Sequence, residues 1–312
     1  MYQNDIIKSA AAIMRLACGI FLQYCSLIYC FVFTCVAVDV RADFVVSHRT
    51  PVHAEDTRDA YTISVIKLSL EKTRDKYGDY RLVGIPPLNY PRSVDALGEN
   101  KYPNLVVDIS YEESLSDSGE LAYINFPVDQ GIVGYRICFA NPRIKARLKK
   151  IKTVDDVRQY TIGQGVGWAD TAILRHNGFR VVEVSSYPNI FKMVIAGRID
   201  LFCRGVNELM TEYVTYKDIG NLDYDESFAL VYLLPRFLYL NRKNVLARKR
   251  IEEGLNLAYQ DGSLKRLWLR YHEPSIIFSA LKQRKVFYLE NPLIKELPRD
   301  FQQKNIDLLR YK

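Results

Sequence analysis

The order of apolar and polar positions along the chain predicts strands and helices in alternation. Apolar runs at 44–47, 80–85 and 105–109 predict strands. An apolar stripe with helical spacing lies between the first two runs and ends at Gly78, which predicts a helix there. Strand, helix and strand in this order favour an α/β fold with a parallel sheet covered by helices.

The alternation restarts beyond Asn141-Pro142. Thr153 and Asp156 have the spacing of a capping box, which predicts the start of a short helix. The strands and helices predicted after it are 160–162, 170–176, 181–184, 189–196 and 200–203. Beyond Pro235 a strand at 237–240 and two helices separated by Gly262 complete the pattern. Residues 274–312 lack a clear period and are expected to form a polar, irregular extension.

The N-terminus has the layout of an export signal. Lys8 and Arg15 precede an apolar run over 16–38, and Val40-Arg41-Ala42 supplies small or apolar residues for cleavage after Ala42. The run is also long enough to span a bilayer, so an uncleaved signal anchor remains open. Both alternatives place the body of the protein outside the cytoplasm, either free in the periplasm or anchored to the inner membrane and facing the periplasm.

The amino-acid composition excludes several classes of protein but does not indicate a function. The chain has 312 residues, of which 48% are apolar and 25% charged, and this excludes a disordered or disulfide-scaffold protein. The net charge of +7 is spread without a block of five or six like charges, so a nucleic-acid surface is not indicated. Cys138 and Cys203 are the cysteines beyond residue 42; their pairing is open, and no metal-ligand spacing occurs.

Two stretches resemble a known family. Residues 252–268, with Glu252-Glu253-Gly254-Leu255 and Asp261-Gly262-Ser263-Leu264, are similar to the terminal helices of family 3 extracellular solute-binding proteins. Residues 187–200, with Tyr187-Pro188-Asn189 and Gly197-Arg198-Ile199-Asp200, resemble a helix and strand of that family's second lobe. The resemblance extends over about residues 43–272 and points to an uncharacterised subgroup.

The resemblance implies a two-lobe periplasmic-binding-protein type II fold with hinge crossover strands. The implied division is 1–42 for the signal peptide or anchor, 43–137 plus 236–272 for lobe 1, 140–233 for lobe 2 and 273–312 for a C-terminal extension. In this fold a ligand binds between the lobes, which close around it.

A glycine-rich turn is the strongest candidate for a ligand contact. Glycines at 163, 165 and 167 follow a predicted strand and precede a predicted helix, so the backbone can approach a ligand and the helix start offers N–H groups to an anion. The candidate residues are Gly165, Gly167, Trp168, Asp170 and Thr171. The alternative is a tight turn with an ordinary N-cap and a packed indole. The glycine spacing does not fit a dinucleotide fingerprint.

Further candidates follow the ends of predicted strands, which border the crevice in open α/β sheets. They are Arg49, Tyr90, Arg204, Asn207 and Glu208, and the alternative for each is a solvated or packing side chain. Glu120 stands where amino-acid-binding members of the family carry an arginine, and the place where they carry an aspartate lies near Gly205, beside Arg204. These departures argue against a plain α-amino acid and favour a polar, anionic solute held partly by arginine.

These observations predict a periplasmic solute-binding protein that captures a small polar, anionic molecule for an ABC transporter permease or a membrane sensor. Two alternatives stay open: a membrane-tethered sensory domain, and a dehydratase-like periplasmic enzyme that would use Glu120, Asp170 or Glu208 as acid or base. The prediction favours binding over catalysis. No cofactor, metal or nucleic acid is expected.

Overall fold

The computed structural model describes residues 44–51, 56–220 and 222–311. The predicted signal peptide or anchor, residues 1–42, lies outside the described residues. The described α-helices are α1 Ala60–Lys72, α2 Arg74–Tyr77, α3 Tyr90–Gly98, α4 Glu113–Asp117, α5 Lys145–Leu148, α6 Val154–Arg158, α7 Ala169–His176, α8 Tyr187–Ile195, α9 Val206–Tyr216, α10 Val245–Gln260 and α11 Ser263–Ser279. Within this part of the chain, none of these helices has the length and hydrophobicity needed to span a membrane.

The described strands are β1 Phe44–Arg49, β2 Tyr80–Ile85, β3 Val107–Ser110, β4 Leu121–Tyr123, β5 Tyr135–Ala140, β6 Thr161–Gly165, β7 Arg180–Val184, β8 Leu201–Gly205, β9 Asp223–Tyr224, β10 Phe228–Val231, β11 Arg236–Asn241 and β12 Lys285–Tyr288. A first group of strands comprises the parallel pair β1–β2 and the antiparallel sheet β3–β11–β4. A second group is one sheet in the order β12-β10-β5-β8-β6-β7, with β9 beside β5.

The larger sheet is mixed, which corrects the expectation of a parallel sheet. β6 runs parallel to β7 and β8, as βα alternation predicts, but β5 is antiparallel to both β8 and β10. β5 enters this sheet from the first group of strands, and the chain returns from β10 to β11 in that group. A helical crossover between neighbouring strands makes them parallel. β5 enters the sheet without such a crossover, so it can run antiparallel to its neighbours.

A disulfide joins two adjacent strands of the larger sheet. Cys138 of β5 and Cys203 of β8 are directly opposite each other in the antiparallel register, and both are buried. Arg136 of β5 pairs with Gly205, and Ile137 pairs with Arg204. The bond therefore fixes the two strands against each other close to the position of two arginines.

Helices connect the two groups of strands as well. In the first group, α10 packs against α1 so closely that a Cβ on Gly254 would overlap the backbone of Ser69. In α11, Ser275 Oγ donates to the carbonyl oxygen of Val206 (2.5 Å) and accepts from the N–H of Met210 (3.2 Å), which fixes this helix against α9. The chain then continues from α11 to β12 in the larger sheet.

The expectation of an irregular polar extension over 274–312 is wrong for most of that segment. α11 continues to Ser279, and β12 pairs in parallel with β10. Short 3-10 helices follow, and Ile294, Phe301 and Leu308 are buried. A 3-10 turn has a period different from that of an α-helix or a strand, so the buried apolar residues show no regular spacing in the sequence.

Of two other local predictions, the helix ending at Gly78 is confirmed in part and the capping box is confirmed in full. The helix expected to end at Gly78 is interrupted at Thr73, whose hydroxyl donates to the carbonyl oxygen of Ser69 at 3.0 Å. The capping box is present: the N–H of Asp156 donates to Thr153 Oγ1, and the N–H of Thr153 donates to an Asp156 carboxylate oxygen at 2.9 Å.

Candidate functional site

Two adjoining cavities lie where the two groups of strands meet. We call the larger one, of about 510 Å³, the outer chamber, and the smaller one, of about 280 Å³, the inner chamber. Both volumes are of the size that holds a small molecule or part of one. The residues that line both chambers are Asp56, Arg58, Asp108, Tyr187, Glu208 and Arg236.

The glycine-rich turn forms one wall of the outer chamber. The indole of Trp168 lies directly on Gly165, where a Cβ would overlap the ring. Gly167 has a φ of +77° and lies against the ring of Tyr90, the first residue of α3. A side chain at either glycine would push these aromatic rings away, so glycine is required at both positions.

Three of the backbone N–H groups in this turn already donate hydrogen bonds within the protein. The N–H of Val166 donates to the carbonyl oxygen of Val184 (3.2 Å), and that of Trp168 donates to Gly165 (3.1 Å). The N–H of Gly167 donates to Glu183 Oε2 at 3.5 Å. The N–H of Thr171, in the first turn of α7, also donates within the protein, to the carbonyl oxygen of Trp168 at 2.9 Å.

Arg136 forms a buried cluster with Asp170 and Tyr232. Its Nη2 donates to Asp170 Oδ1, its Nε donates to the Tyr232 hydroxyl at 3.0 Å, and that hydroxyl donates to the same Asp170 oxygen. Burial alone would lower the pKa of Arg136, but the Asp170 carboxylate beside it holds the pKa above its usual value. This cluster ties the start of α7 to the crossover strand β5.

Arg204 is enclosed by carboxylates and aromatic rings. Its Nε donates to Glu212 Oε1 at 2.9 Å, and its Nη2 donates to Glu208. The guanidinium carbon lies 4.9 Å from the ring centroid of Trp168. The Tyr187 hydroxyl donates to Glu212 at 2.7 Å. Burial raises the pKa of Glu212, and the charge of Arg204 opposes this shift.

Two further paired arginines lie at the end of β1 and just before α1. Arg49 Nη2 donates to Asp59 Oδ1 at 2.5 Å. Arg58 contacts both carboxylate oxygens of Asp56 at 2.7 Å, and its guanidinium lies 4.0 Å from the ring centroid of Tyr187 in the second group. Arg58 therefore reaches across the boundary between the two groups of strands.

A third paired arginine lies between two buried carboxyl groups. Arg236 Nη2 contacts Asp108 Oδ2 at 2.9 Å, and its Nε lies 3.6 Å from Asp129 Oδ2. Burial raises the pKa of Asp129 well above its usual value, and the neighbouring Asp108 carboxylate raises it further. Burial also raises the pKa of Asp108, against the lowering effect of Arg236. Two carboxyl groups this close favour sharing one proton.

The structure brings together most of the residues predicted from the sequence. Those that line the outer chamber are Arg49, Tyr90, Gly165, Trp168, Asp170, Arg204 and Glu208. Asn207 lines the inner chamber, and Gly167 contacts the ring of Tyr90. Thr171 is buried within α7, and Glu120 is exposed; neither lines a chamber.

Sequence reasoning missed several residues of the two chambers. They are Asp56, Arg58, Asp108, Asp129, Tyr187, Glu212, Arg236 and His272. Most lie inside predicted strands and helices or beside them, where a single charged residue is indistinguishable from a solvated one. Arg58 and Asp56 precede α1, so the useful signal was a pair of opposite charges at a helix start.

No protein-family model matches the sequence, and no curated protein matches it. The GluR0 ligand-binding core from Nostoc punctiforme, solved with L-glutamate, is similar with a TM-score of 0.54 at 16% identity, over 74% of this chain and 100% of that one. A histidine kinase sensor domain similar to periplasmic binding proteins gives 0.53 at 13% identity, over 75% and 97%. The ancestral amino-acid-binding protein AncCDT-1, a precursor of cyclohexadienyl dehydratase, gives 0.52 at 11%, over 73% and 95%. At these identities the likeness is one of fold.

Proposed function

We propose that this chain, which has the two-lobe α/β fold of type II periplasmic binding proteins, is a solute-binding protein that captures a small polar molecule between its lobes. The observation that carries the proposal is the outer chamber, whose wall combines Arg49 and Tyr90 from one proposed lobe with Trp168 and Arg204 from the other. A ligand in this chamber would contact both lobes at once, which is how closure is coupled to binding.

The proposed lobes are 43–137 plus 236–272, and 140–233, with hinge segments between them. In the structure, segments after residue 272 contact both proposed lobes. The N–H of Leu289 donates to the carbonyl oxygen of Val231 (2.8 Å) in one lobe, and the N–H of Ile306 donates to the carbonyl oxygen of Gln130 (2.8 Å) in the other. We therefore propose that the C-terminal extension joins the two lobes.

The chemistry of the outer chamber favours a polar solute with hydroxyl or carbonyl groups. Each arginine that lines it contacts a carboxylate of the protein, so an anionic solute, as predicted from the sequence, would have to compete for the guanidinium groups. Among the described residues, the hydroxyls of Ser185 and Ser186 have no protein partner, and both residues line this chamber. Tyr90 and Trp168 add aromatic surface for an apolar part of the solute.

Both a transporter permease and a membrane sensor suit this fold as partner. The neighbours include a sensor domain of a histidine kinase and the GluR0 ligand-binding core. A membrane-tethered sensory domain would require residues 16–38 to remain attached. Mass spectrometry of the N-terminus of the exported protein separates the alternatives: a first residue at position 43 excludes tethering by this segment.

Binding suits the site better than dehydratase-like catalysis. Of the three acids proposed as catalytic groups, Asp170 and Glu208 are held by Arg136 and Arg204, and Glu120 is exposed outside both chambers. A general acid or base must reach a bound substrate with a proton to give or take. The contacts with the two arginines therefore already engage the carboxylates of Asp170 and Glu208.

The proposal is tested with a thermal-shift screen of polar metabolites, followed by calorimetry. A solute at about one hundred times its Kd stabilises the folded protein by about 2.7 kcal/mol, which is a measurable rise in Tm. Trp168→Leu should weaken binding, whereas Tyr288→Leu, at a residue that is 71% exposed and outside both chambers, should not. Equal weakening in both variants, or no solute bound in a broad screen, contradicts the proposal.

A further inference from the structure

A strongly basic segment follows strand β5. Residues 143–152, which we call the basic segment, contain six basic residues and no acidic one; they are Arg143, Lys145, Arg147, Lys149, Lys150 and Lys152. Apolar residues interrupt them, so the sequence shows no continuous block of charge. In the structure the segment runs through the 3-10 turn Pro142–Ile144 and the short helix α5. Six positive charges thus lie close together in a chain whose net charge is +7.

The apolar and basic side chains of the segment face in opposite directions. Ile144, Leu148 and Ile151 are buried in the hydrophobic core. The exposed residues are Arg143, Arg147, Lys149, Lys150 and Lys152. Because the apolar side chains are used to hold the segment on the protein, its outer face offers a partner mainly positive charge.

Most of this charge is not neutralised within the protein. Lys145 contacts Asp223 at 2.6 Å and Glu226 at 3.6 Å. The N–H of Lys152 donates to the carboxylate of Asp156 at 2.8 Å, which places that acid beside it. Within the described part of the chain, the other four side chains form no ion pair and no hydrogen bond; they are Arg143, Arg147, Lys149 and Lys150. Unpaired cations at the surface produce a field that attracts anions.

Two other segments add positive charge beside the basic segment. Lys285, the first residue of β12, donates to the carbonyl oxygen of Ile151. Arg198 is exposed and follows Gly197, where a Cβ would lie 2.9 Å from the side chain of Asn141. We call the basic segment together with Lys285 and Arg198 the basic surface. It is assembled by the fold from residues that are distant in the sequence.

The basic surface is remote from the two chambers. Arg136 in β5 lines the outer chamber. Ala140, at the other end of β5, pairs with Leu201 at the start of β8. A strand rises about 3.3 Å per residue, so about 13 Å separate Arg136 from Ala140, and the basic segment begins beyond Ala140. A partner on the basic surface therefore leaves the chambers accessible.

An array of phosphate groups has the chemistry that fits this surface. A lysine ammonium is a point charge that binds phosphates in many geometries, whereas recognition of single carboxylates favours bidentate arginine. Nucleic acid carries phosphates as well, but residues 143–152 include no aromatic side chain on which a base could stack. The predicted export signal also places the body of the protein outside the cytoplasm. Anionic phospholipid headgroups are phosphates that an exported protein meets there.

We propose that the basic surface docks the protein on a membrane that contains anionic phospholipids. The contact is electrostatic, because the apolar residues of the segment are buried in the protein. Each basic residue near an anionic bilayer strengthens binding about fivefold. The inference goes beyond the proposed function, since it holds whatever solute the chambers bind. Docking of this kind keeps the protein close to a permease or sensor in the same membrane.

The test is footprinting of the purified exported protein with an amine-reactive reagent, read by mass spectrometry. One sample contains vesicles of equal parts phosphatidylglycerol and phosphatidylcholine, and the other contains vesicles of phosphatidylcholine alone. Labelling of Lys149, Lys150 and Lys152 should fall severalfold with the anionic vesicles only, and high salt should restore it. Labelling of Lys67 and Lys101, which are exposed on other elements, should not change. If residues 16–38 stay attached, both kinds of vesicle take up the protein, but only the anionic ones should protect the basic segment.

A pair of substitutions tests the charge directly. Lys149→Gln together with Lys150→Gln removes two exposed charges, and should raise the lipid concentration needed for half protection of Lys152 by about 25-fold. The matched control is Lys67→Gln together with Lys101→Gln, since these lysines are also exposed and form no ion pair among the described residues. The control should behave like the wild type.

The outcomes decide the inference independently of the proposed function. Equal protection by neutral vesicles, protection of control and segment lysines alike, or equal weakening in both pairs of variants overturns it. A DNA duplex that protects the basic segment while anionic vesicles do not would assign the surface to nucleic acid, and overturns it as well. Solute binding in the chambers should be the same in the Lys149→Gln, Lys150→Gln variant as in the wild type, so failure of docking leaves the proposed function intact.

Discussion

Removal of the Cys138–Cys203 disulfide should destabilise the folded protein strongly. The bond closes a loop with a sequence separation of 65. The loss of chain entropy in the unfolded state for a loop of this length corresponds to about 4 kcal/mol at room temperature. Many domains have a total stability of only about 5–15 kcal/mol, so reduction should remove a large part of it. Both sulfur atoms are buried, and reduction therefore requires opening of the sheet.

The measurement is equilibrium unfolding in guanidinium chloride, with and without a reductant, followed by tryptophan fluorescence. The double variant Cys138→Ala, Cys203→Ala is the control, because its midpoint should not respond to the reductant. The wild-type midpoint should fall on reduction toward that of the variant. Two free thiols in the exported protein, or a reductant effect as small in the wild type as in the double variant, would refute the reasoning.

Two further predictions concern the buried charges of the site. For Asp129, the raised pKa means that the contribution of this carboxyl group to stability is fully present below about pH 4 and is lost as pH rises through the folded-state pKa. Asp129→Asn, which leaves Asp108 paired with its arginine, should therefore raise Tm at pH 7 and have little effect near pH 3, as thermal unfolding across pH will show. Arg136→Met should lower the free energy of unfolding by about 3–5 kcal/mol, because it leaves Asp170 buried without its cation. Denaturant titration checks this value against Arg310→Met at an exposed position, and a loss below about 1 kcal/mol would count against it.

The sequence was sufficient for those parts of the fold that depend on neighbouring residues. Alternation of apolar runs predicted most strands and helices of the two lobes, and the capping box at Thr153 was read correctly. The two-lobe α/β fold implied by the family resemblance is confirmed. The strands, helices and cap have a local period or a fixed spacing, and for this reason a single sequence is enough to find them.

Features that depend on distant partners could not be predicted. The antiparallel direction of β5 follows from its crossing between sheets, and no local pattern records this. The C-terminal segment has buried residues such as Phe301 in 3-10 turns, which show neither of the common periods. The disulfide required the register of β5 and β8, whose cysteines are 65 residues apart in the chain.

The charge of the cleft is also a property of long-range pairing. From the sequence, Arg204 and Arg49 at strand ends suggested guanidinium groups free to hold an anion. In the folded chain each guanidinium of the cleft meets a carboxylate, and some partners are distant: Arg136 and Asp170 are 34 residues apart, and Arg236 bonds to Asp108 across 128. Once these pairs form, much of the positive charge of the guanidinium groups is offset by the neighbouring carboxylates. The number of arginines in the sequence therefore overstates the positive charge that a ligand would meet in the cleft.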